Sequence, residues 1–314
     1  GGARTVDIVT GGVLAAGSAA LSSVKAGAFE TTILVYAYTT SDLPVHSLIG
    51  DLYSVDPRVA AAATTETMLK DCPECLEEAK SQNVVMLNNV SSTAYHLLCT
   101  EGNRIQSLAD MQGKKIRAVG SYGQLAAALG AVPVNLEVQE VREALQRGQI
   151  DCAMNDPSQI EALQLDMVKY LTEVPLGTFQ SMSAVVVNRD FWNGLSAEEK
   201  QAWLDSSAHL LADYEFNFIR RVDGVMERAK SSSGLEVVTP DADLLNAVLE
   251  FRASQTPQVV ETASSRGVKS AQAIADAFQK NTEKWTAIVA EIGEGAWSEE
   301  QWNQYAERVK AEIF

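Results

Sequence analysis

Short runs of β-branched and apolar residues alternate along the chain with longer stretches in which apolar residues recur every three or four positions. The first pattern predicts strands and the second predicts amphipathic helices. Strands are predicted over residues 6–10, 29–36, 83–87, 114–119, 132–136, 150–154 and 183–188. Helices are predicted over residues 15–25, 59–70, 75–82, 122–129, 139–147, 244–255, 258–266 and 271–292. This alternation predicts an α/β fold with mostly parallel sheets covered by helices.

Two further helices are predicted from residues that cap helix starts. Ser196 and Glu199 have the spacing of a capping box, in which each residue satisfies a backbone N–H of the other. We expect a long helix from this point to about Lys230. Ser298 and Gln301 have the same spacing and open a last helix near the C-terminus.

The composition excludes several function classes. The chain has 314 residues, of which 46% are hydrophobic, so two domains of ordinary size can each bury a core. Its 41 acidic and 25 basic residues give a formal net charge of -16, which repels nucleic acid and anionic lipid headgroups. We therefore expect no nucleic-acid partner. A few donors inside a cleft can still bind an anion, because distant charges are screened within about 8 to 10 Å.

No apolar run approaches the roughly 20 residues that a membrane-spanning helix needs. Residues 11–20 have an apolar core and small residues like those of a signal peptide, but only Arg4 precedes them as a basic residue. Residues 22–27 continue the stretch as an amphipathic helix. We therefore expect no membrane insertion, and we expect any signal peptide to have been removed already.

The cysteines offer one spacing of chemical interest. The chain contains Cys72, Cys75, Cys99 and Cys152. The first two form a CxxC pair, which serves redox chemistry or half of a zinc site. A zinc site needs a second pair or nearby histidines, whereas the three histidines, His46, His96 and His209, are scattered. We favour a surface disulfide formed in an oxidising compartment, or two free thiols at a helix start.

No catalytic motif stands out. The sequence lacks a GxSxG elbow, an HExxH helix and a phosphate-binding loop, and Gly11 and Gly12 lack the spacing of a dinucleotide fingerprint. His96, beside Tyr95, has the chemistry of a general base, but a single histidine on a strand is more often a hydrogen-bonded structural residue. We expect neither catalysis nor a cofactor.

The most specific signal lies in residues 107–151. It contains a short helix, the sequence GKKIRA, an alanine-rich helix ending in LGA, a strand with a proline, and EVREALQRGQID. This order strongly resembles the central signature of the DctP-type solute-binding proteins of tripartite ATP-independent periplasmic (TRAP) transporters. Weaker resemblance extends to residues 15–29, 43–52, 185–200 and 285–314.

The resemblance implies an architecture and a role. The fold would be a two-lobed periplasmic-binding-protein-like α/β fold, with crossing strands, a long lobe-spanning helix and a helical C-terminal tail. Lobe I would comprise residues 1–93 and 183–230, lobe II residues 94–182, and the tail residues 231–314, packed on both lobes. Such a periplasmic protein closes on a small organic carboxylate and delivers it to the TRAP membrane permease subunits.

The resemblance also implies ligand-binding residues. Arg117 occupies the GKKIRA position whose arginine pairs with the ligand carboxylate, and a guanidinium suits that role because its planar donors stay charged when desolvated. Asn155 follows a predicted strand where the family places a side-chain amide on the same carboxylate. It could equally belong to the cap of a helix that starts around residues 156–159.

Aromatic and polar residues supply further candidates for the cleft lining. Tyr36 and Tyr38 end the strand predicted over residues 29–36, at the sheet edge where open α/β sheets bind ligands, although tyrosines at strand ends often only pack. Further candidates of lower weight are Tyr95, His96, Val138, Phe179 and Gln180.

Four departures from the family pattern bear on which ligand the resemblance implies. The first strand and helix of the family are missing from this sequence. Cys152 stands where glycine is usual, and Glu30 where aspartate is usual. No arginine lies between Thr93 and Leu98, where some members keep a second anion-binding one, so a monocarboxylate is favoured. Two alternatives stay open, a binding module that feeds a sensor and a periplasmic enzyme that uses the CxxC pair or His96.

Overall fold

The structure, a computed structural model, describes residues 5–314, apart from the side chains of residues 232 and 233. Its strands are β1 (Thr31–Val35), β2 (Val84–Met86), β3 (His96–Thr100), β4 (Lys115–Arg117), β5 (Val132–Val134), β6 (Cys152–Asn155), β7 (Val168–Thr172), β8 (Met182–Asn188) and β9 (Glu236–Val238). Its helices are α1 (Ala20–Lys25), α2 (Pro44–Asp51), α3 (Pro57–Glu66), α4 (Pro73–Ser81), α5 (Ser121–Ala128), α6 (Val141–Gln146), α7 (Gln159–Ala162), α8 (Arg189–Asn193), α9 (Ala197–Arg228), α10 (Ala242–Ala253), α11 (Gln255–Ser265), α12 (Ala271–Ile292) and α13 (Glu299–Ile313).

The strands form two sheets. The first sheet has the order β1-β8-β2, and both of its pairings are antiparallel. The second has the order β5-β4-β6-β3-β7-β9 and is mixed, because β3 runs antiparallel to β6 and β7 while the remaining pairs are parallel. The expectation of mostly parallel sheets is therefore wrong for the first sheet, whose middle strand β8 enters from the second sheet and runs against both neighbours.

Each sheet has its own apolar core, and these two units are called the first lobe and the second lobe below. The core of the first lobe joins the three-stranded sheet to helices α1–α4 and to α11–α13. The six-stranded sheet of the second lobe is covered on one face by α5 and α10 and on the other by α6, α7 and the end of α9. Separate cores allow the lobes to move as rigid bodies about their connections.

Four connections join the lobes, and the last of them is the turn at Ser254 between α10 of the second lobe and α11 of the first. Residues 87–95 and 173–181 run side by side between the sheets and share isolated bridges at Val90 with Met182 and at Ala94 with Thr178. The third connection is α9, whose Leu211 packs in the first core and whose Val225 packs in the second. The crossing strands and the long helix are thus both present. None of the helices within residues 5–314 is long and apolar enough to span a bilayer.

The strand predicted over residues 6–10 does not form. Its backbone is irregular, and Val6 and Ile8 are 66% and 82% exposed. A strand needs a hydrogen-bonded neighbour, and this segment pairs with no strand among the described residues. A β-branched sequence therefore did not suffice to make a strand.

Both predicted capping boxes are confirmed. Ser196 and Glu199 cap α9, which extends over 32 residues, and Ser298 and Gln301 cap α13. A one-turn π-helix continues α9 to residue 233, close to the predicted end. Capping is a local interaction, which explains why four residues of sequence predict it reliably.

All four cysteines form disulfides. Cys72 joins Cys75 at the start of α4, and both residues are buried rather than at the surface. Cys99 joins Cys152 and links β3 to β6 at directly paired positions. The first bond is one of the alternatives for the CxxC pair, and the second was not predicted because the residues lie 53 positions apart.

We expect the Cys99–Cys152 bond to stabilise the fold more than the Cys72–Cys75 bond. A cross-link that closes a longer loop removes more conformational entropy from the unfolded chain, and the separations are 53 and 3 residues. The variant Cys99→Ala/Cys152→Ala should lose roughly 2 to 4 kcal/mol of unfolding free energy. Urea denaturation beside Cys72→Ala/Cys75→Ala, whose sulfurs are equally buried, measures the difference. Equal losses would contradict this prediction.

Candidate functional site

The register of the second sheet brings three polar side chains to one face. Arg117 on β4 is paired with Ala153 on β6, and Asn155, two residues further along β6, is paired with His96 on β3. Paired residues and residues two apart project from the same face of a sheet. Arg117, Asn155 and His96 therefore share one face and one end of the sheet, where the crossing segment preceding β3 enters.

Arg117 is held rigidly at this end. Its side chain is only 2% exposed. Its Nε donates to the Leu136 carbonyl at 3.1 Å, its Nη1 to the Met154 carbonyl at 3.4 Å, and its Nη2 to the Tyr38 hydroxyl at 3.3 Å. Because a guanidinium has five N–H groups, one N–H on each terminal nitrogen has no acceptor among the described residues. Two N–H groups on the terminal nitrogens of a guanidinium, here called its fork, have the geometry to donate two parallel hydrogen bonds to one planar anion.

Tyr38 extends the site across the gap between the lobes. It belongs to a 3₁₀ turn, Tyr36–Tyr38, that follows β1 in the first lobe. Its hydroxyl accepts from Arg117 and also from the backbone N–H of Val138 at 3.0 Å. With both bonds accepted, the hydroxyl proton has no acceptor within residues 5–314. Tyr38 therefore adds a third donor beside the fork of Arg117.

Asn155 and His96 carry buried polar atoms that lack partners in the described part of the chain. The Oδ1 of Asn155 accepts from the backbone N–H of Asp156, whereas its Nδ2 is unpartnered, as is Nδ1 of His96. Burial lowers the pKa of His96, opposed by Glu173 and by a hydrogen bond to the Val174 carbonyl. A buried unsatisfied polar group costs about 1 to 3 kcal/mol, so this end of the sheet is built to receive polar atoms from a bound molecule or water.

An aromatic cluster lies where the crossing segments meet the second sheet. The rings of Tyr95 and Phe179 are stacked at 5.6 Å and 7°, and the ring of Tyr122 lies 4.8 Å from Tyr95. Burial raises the pKa of Tyr95 well above its ordinary value, although Arg117 acts in the opposite direction, so its hydroxyl stays protonated. The cluster supplies an apolar wall with one neutral hydroxyl close to the guanidinium.

Two of the sequence-predicted residues lie apart from Arg117. The ring of Tyr36 is buried in the first core, 5.3 Å from that of His46, and its hydroxyl donates to the sulfur of Met68 at 3.9 Å. The Nε2 of Gln180 donates to the carbonyls of Ile49 and Leu52, so its amide ties α2 to a crossing segment. Of the two tyrosines, Tyr38 is therefore the one that reaches the guanidinium.

Buried charged residues near the crossing segments were missed by the sequence analysis. Asp51 accepts from the Ser121 backbone N–H at 2.8 Å, and burial raises its pKa to about 6. Arg252 lies between the rings of Tyr53 and Tyr122, at 4.9 and 4.7 Å. Glu215 on α9 accepts from the Ser91 backbone N–H, and its second oxygen is unpartnered within the described chain. Each is a single charge in an ordinary helix or loop, so no local pattern distinguishes it.

The titratable side chains do not form a metal centre. Within residues 5–314, no group of three or more His, Cys, Asp or Glu side chains is arranged to hold a metal ion. The donors around Arg117 are N–H and O–H groups, which suit an anion rather than a cation.

Comparisons with known proteins bear on the family of this chain. The model of the family described as "Bacterial extracellular solute-binding protein, family 7" (DctP) matches residues 1–263. The C4-dicarboxylate-binding periplasmic protein DctP of Rhodobacter capsulatus is 38% identical over 71 residues, 23% of this chain and 21% of that protein. The ectoine-binding periplasmic protein TeaA of Halomonas elongata is 30% identical over 187 residues, 58% of this chain and 53% of that protein. The matched segments thus span about a fifth and about half of these relatives.

A solved structure supports the fold over most of the chain. The TRAP periplasmic solute-binding protein of Bordetella bronchiseptica, solved with bound (R)- and (S)-mandelate, superposes with a TM-score of 0.71 at 20% identity. The alignment covers 85% of this chain and 84% of that protein. At this identity the likeness establishes the two-lobed fold and no more.

We expect His96 to titrate below its ordinary pKa of 6.5, because burial disfavours the charged imidazole. Since the pKa is lower in the folded chain, the unfolded chain binds more protons as the pH falls through about 6.5, and the free energy of unfolding decreases on acidification. Imidazole NMR resonances, assigned with the variant His96→Gln, measure the midpoint. That variant should also lose part of the acid sensitivity. A midpoint at or above 6.5 would contradict the buried, neutral state.

Proposed function

The chain belongs to family 7 of the bacterial extracellular solute-binding proteins, the DctP family, and from this membership we propose that it captures a small organic monocarboxylate between its lobes. The observation that carries the proposal is the fork of Arg117, pre-oriented by two backbone carbonyls and left with two N–H groups for an acceptor. A carboxylate has the geometry and charge for that fork.

The polar atoms around Arg117 complete a binding mode for the carboxylate. The unpartnered Nδ2 of Asn155 and the hydroxyl proton of Tyr38 would each donate to a carboxylate oxygen held by the guanidinium. Tyr38 belongs to the first lobe, whereas Arg117 and Asn155 belong to the second. One anion would therefore be contacted from both lobes at once.

The charge of the site favours a ligand with a single carboxylate. Arg117 is the cation at this end of the sheet, and Tyr95 is uncharged because burial raises the pKa of its hydroxyl. Asp156, a buried carboxyl next to Asn155, is already engaged with Ser158 and Gln159. A second carboxylate on the ligand would lack a second free guanidinium, because Arg252 lies between two tyrosine rings and already donates to Leu176 and Gln255. The stacked Tyr95 and Phe179 would instead favour an apolar or aromatic remainder.

Capture would proceed by hinge closure. We propose that the moving units are lobe I, residues 1–93 and 183–230, which contains the three-stranded sheet, and lobe II, residues 94–182, which contains five of the six strands of the other sheet. Residues 231–314 would pack on both. The crossing segments would act as the hinge, because few residues there absorb the rotation while the two cores stay intact. Closure would strip water from the ion pair and strengthen its hydrogen bonds.

The cellular role follows from the family and from the disulfides. We propose that the protein works in the periplasm and delivers its ligand unchanged to the membrane subunits of a TRAP transporter. Two buried disulfides suit an oxidising compartment. The groups around Arg117 are suited to holding an anion, and none is paired as nucleophile and base, so we propose no catalysis.

Replacing Arg117 with Ala should weaken ligand binding at least a hundredfold, about 3 kcal/mol, because a desolvated carboxylate then lacks its cation. Arg117→Lys should be intermediate, since lysine restores the charge without the fork. Mass spectrometry of the small molecule released on denaturation identifies the ligand, and calorimetry with that molecule and with mandelate measures the loss. The control is Lys115→Ala, an exposed cation on the same strand. Binding of the released ligand within threefold of the parent would overturn the carboxylate fork.

Replacing Tyr38 with Phe should weaken binding by roughly fivefold to twentyfold, because the variant loses one hydroxyl donor and the interlobe bonds to Arg117 and Val138. Tyr36→Phe is a matched control, since its hydroxyl lies in the first core, against Met68 and Ser183. Calorimetry on both variants distinguishes the two positions. Equal losses would show that the loss reflects packing rather than contact with the ligand.

A further inference from the structure

Glu137 makes a contact between the lobes that lies outside the carboxylate site. Its Oε2 accepts from the backbone N–H of Gly17 and its Oε1 accepts from that of Ser18, both at 3.0 Å. The two N–H groups belong to the 3₁₀ turn Gly17–Ala19, which leads into α1 in the first lobe. Glu137 lies between β5 and α6 in the second lobe. One carboxylate therefore connects the lobes through two hydrogen bonds.

The absence of a side chain at Gly17 permits this contact. A Cβ added to Gly17 would lie 3.0 Å from Oε2 of Glu137 and 3.0 Å from the ring of Tyr38. Both distances are shorter than nine in ten real Cβ contacts, so a side chain here would require Glu137 or Tyr38 to shift by a few tenths of an ångström. The backbone of Gly17 is not in the left-handed region, so glycine is needed here for space and not for conformation.

Glu137 is pre-oriented for the contact and charged. Its own backbone N–H donates to Glu140 at 2.7 Å, in a reciprocal capping arrangement. Burial tends to raise the pKa of Glu137, but the hydrogen bonds from Ser18 and Gly17 outweigh it and leave the pKa below its ordinary value. Hydrogen bonds to an ionised acceptor are about twice as strong as neutral ones.

The contact is placed where opening of the lobes would break it. Glu137 follows β5, the edge strand of the second sheet, and three strand spacings separate β5 from β3, which a crossing segment enters. At about 4.8 Å a spacing, this is roughly 14 Å from the hinge side. In contrast, Gln180 ties α2 to a crossing segment and would keep its bonds during a rotation about that segment.

The contact is also continuous with the carboxylate site. Leu136 accepts from Arg117, Glu137 binds Gly17 and Ser18, and Val138 donates to Tyr38. Three consecutive residues thus connect the guanidinium, the edge of the first lobe and the bridging tyrosine.

We propose that Glu137 is a latch that stabilises the closed arrangement of the lobes independently of any ligand. The inference rests on the proposed hinge closure, and it goes beyond that proposal because the latch touches neither the carboxylate nor Arg117. Removal of the latch would shift the population towards open lobes and lower the apparent affinity without altering the binding fork.

Two measurements on the protein without added ligand test the latch. In the first, the backbone amides of Gly17 and Ser18 should exchange with deuterium at least about tenfold faster in Glu137→Ala than in the parent, because an unprotected amide exchanges at the open-state rate. In the second, spin labels at Ser22→Cys and Gln146→Cys, both exposed, should give longer lobe-to-lobe distances in pulsed EPR once Glu137 is replaced.

The control is Glu143→Gln, which removes the same charge from an exposed residue on α6 and should leave both measurements unchanged. Unchanged amide exchange in Glu137→Ala would overturn the contact itself. Faster exchange with an unchanged distance distribution would overturn its role in closure. Because neither measurement uses a ligand, failure of the latch leaves the carboxylate proposal to its own test, and the reverse also holds.

Discussion

The burial of one guanidinium constrains much of this molecule. Arg117 is nearly inaccessible, and a buried cation must be surrounded by acceptors or it destabilises the fold. Two carbonyls, from Leu136 and Met154, meet that requirement on the sheet side and fix the register of β4 between β5 and β6. The remaining N–H groups need an acceptor that the second lobe does not provide. Tyr38 of the first lobe accepts a hydrogen bond from one of these N–H groups and leaves the others without an acceptor among the described residues.

The need of Arg117 for an acceptor from the first lobe matters because the two lobes have separate cores. Because each lobe buries its own apolar residues, the lobes can separate without exposing a core. Asp51, Tyr38 and Glu137 each make hydrogen bonds from one lobe to the other.

The sequence predicted what depends on local interactions or on a long signature. The capping boxes at Ser196 and Ser298 are local, and the signature around Arg117 located the guanidinium that the structure then surrounds with acceptors. Tyr36 and Tyr38 were treated alike, because the 3₁₀ turn that sends their rings to different places cannot be read from strand alternation. The pairing of Cys99 with Cys152 depends on which strands become neighbours. Long-range topology, rather than residue chemistry, was the missing information.

The Cys99–Cys152 bond has a consequence for when the chain becomes competent to bind. A slip of β3 by one residue against β6 would turn His96 to the opposite face and separate it from Asn155. The covalent link forbids that slip, but only after oxidation has occurred. A reduced chain would therefore hold this register less firmly than an oxidised one. The arrangement of His96 beside Asn155 would then depend on the redox state of the surroundings as well as on folding.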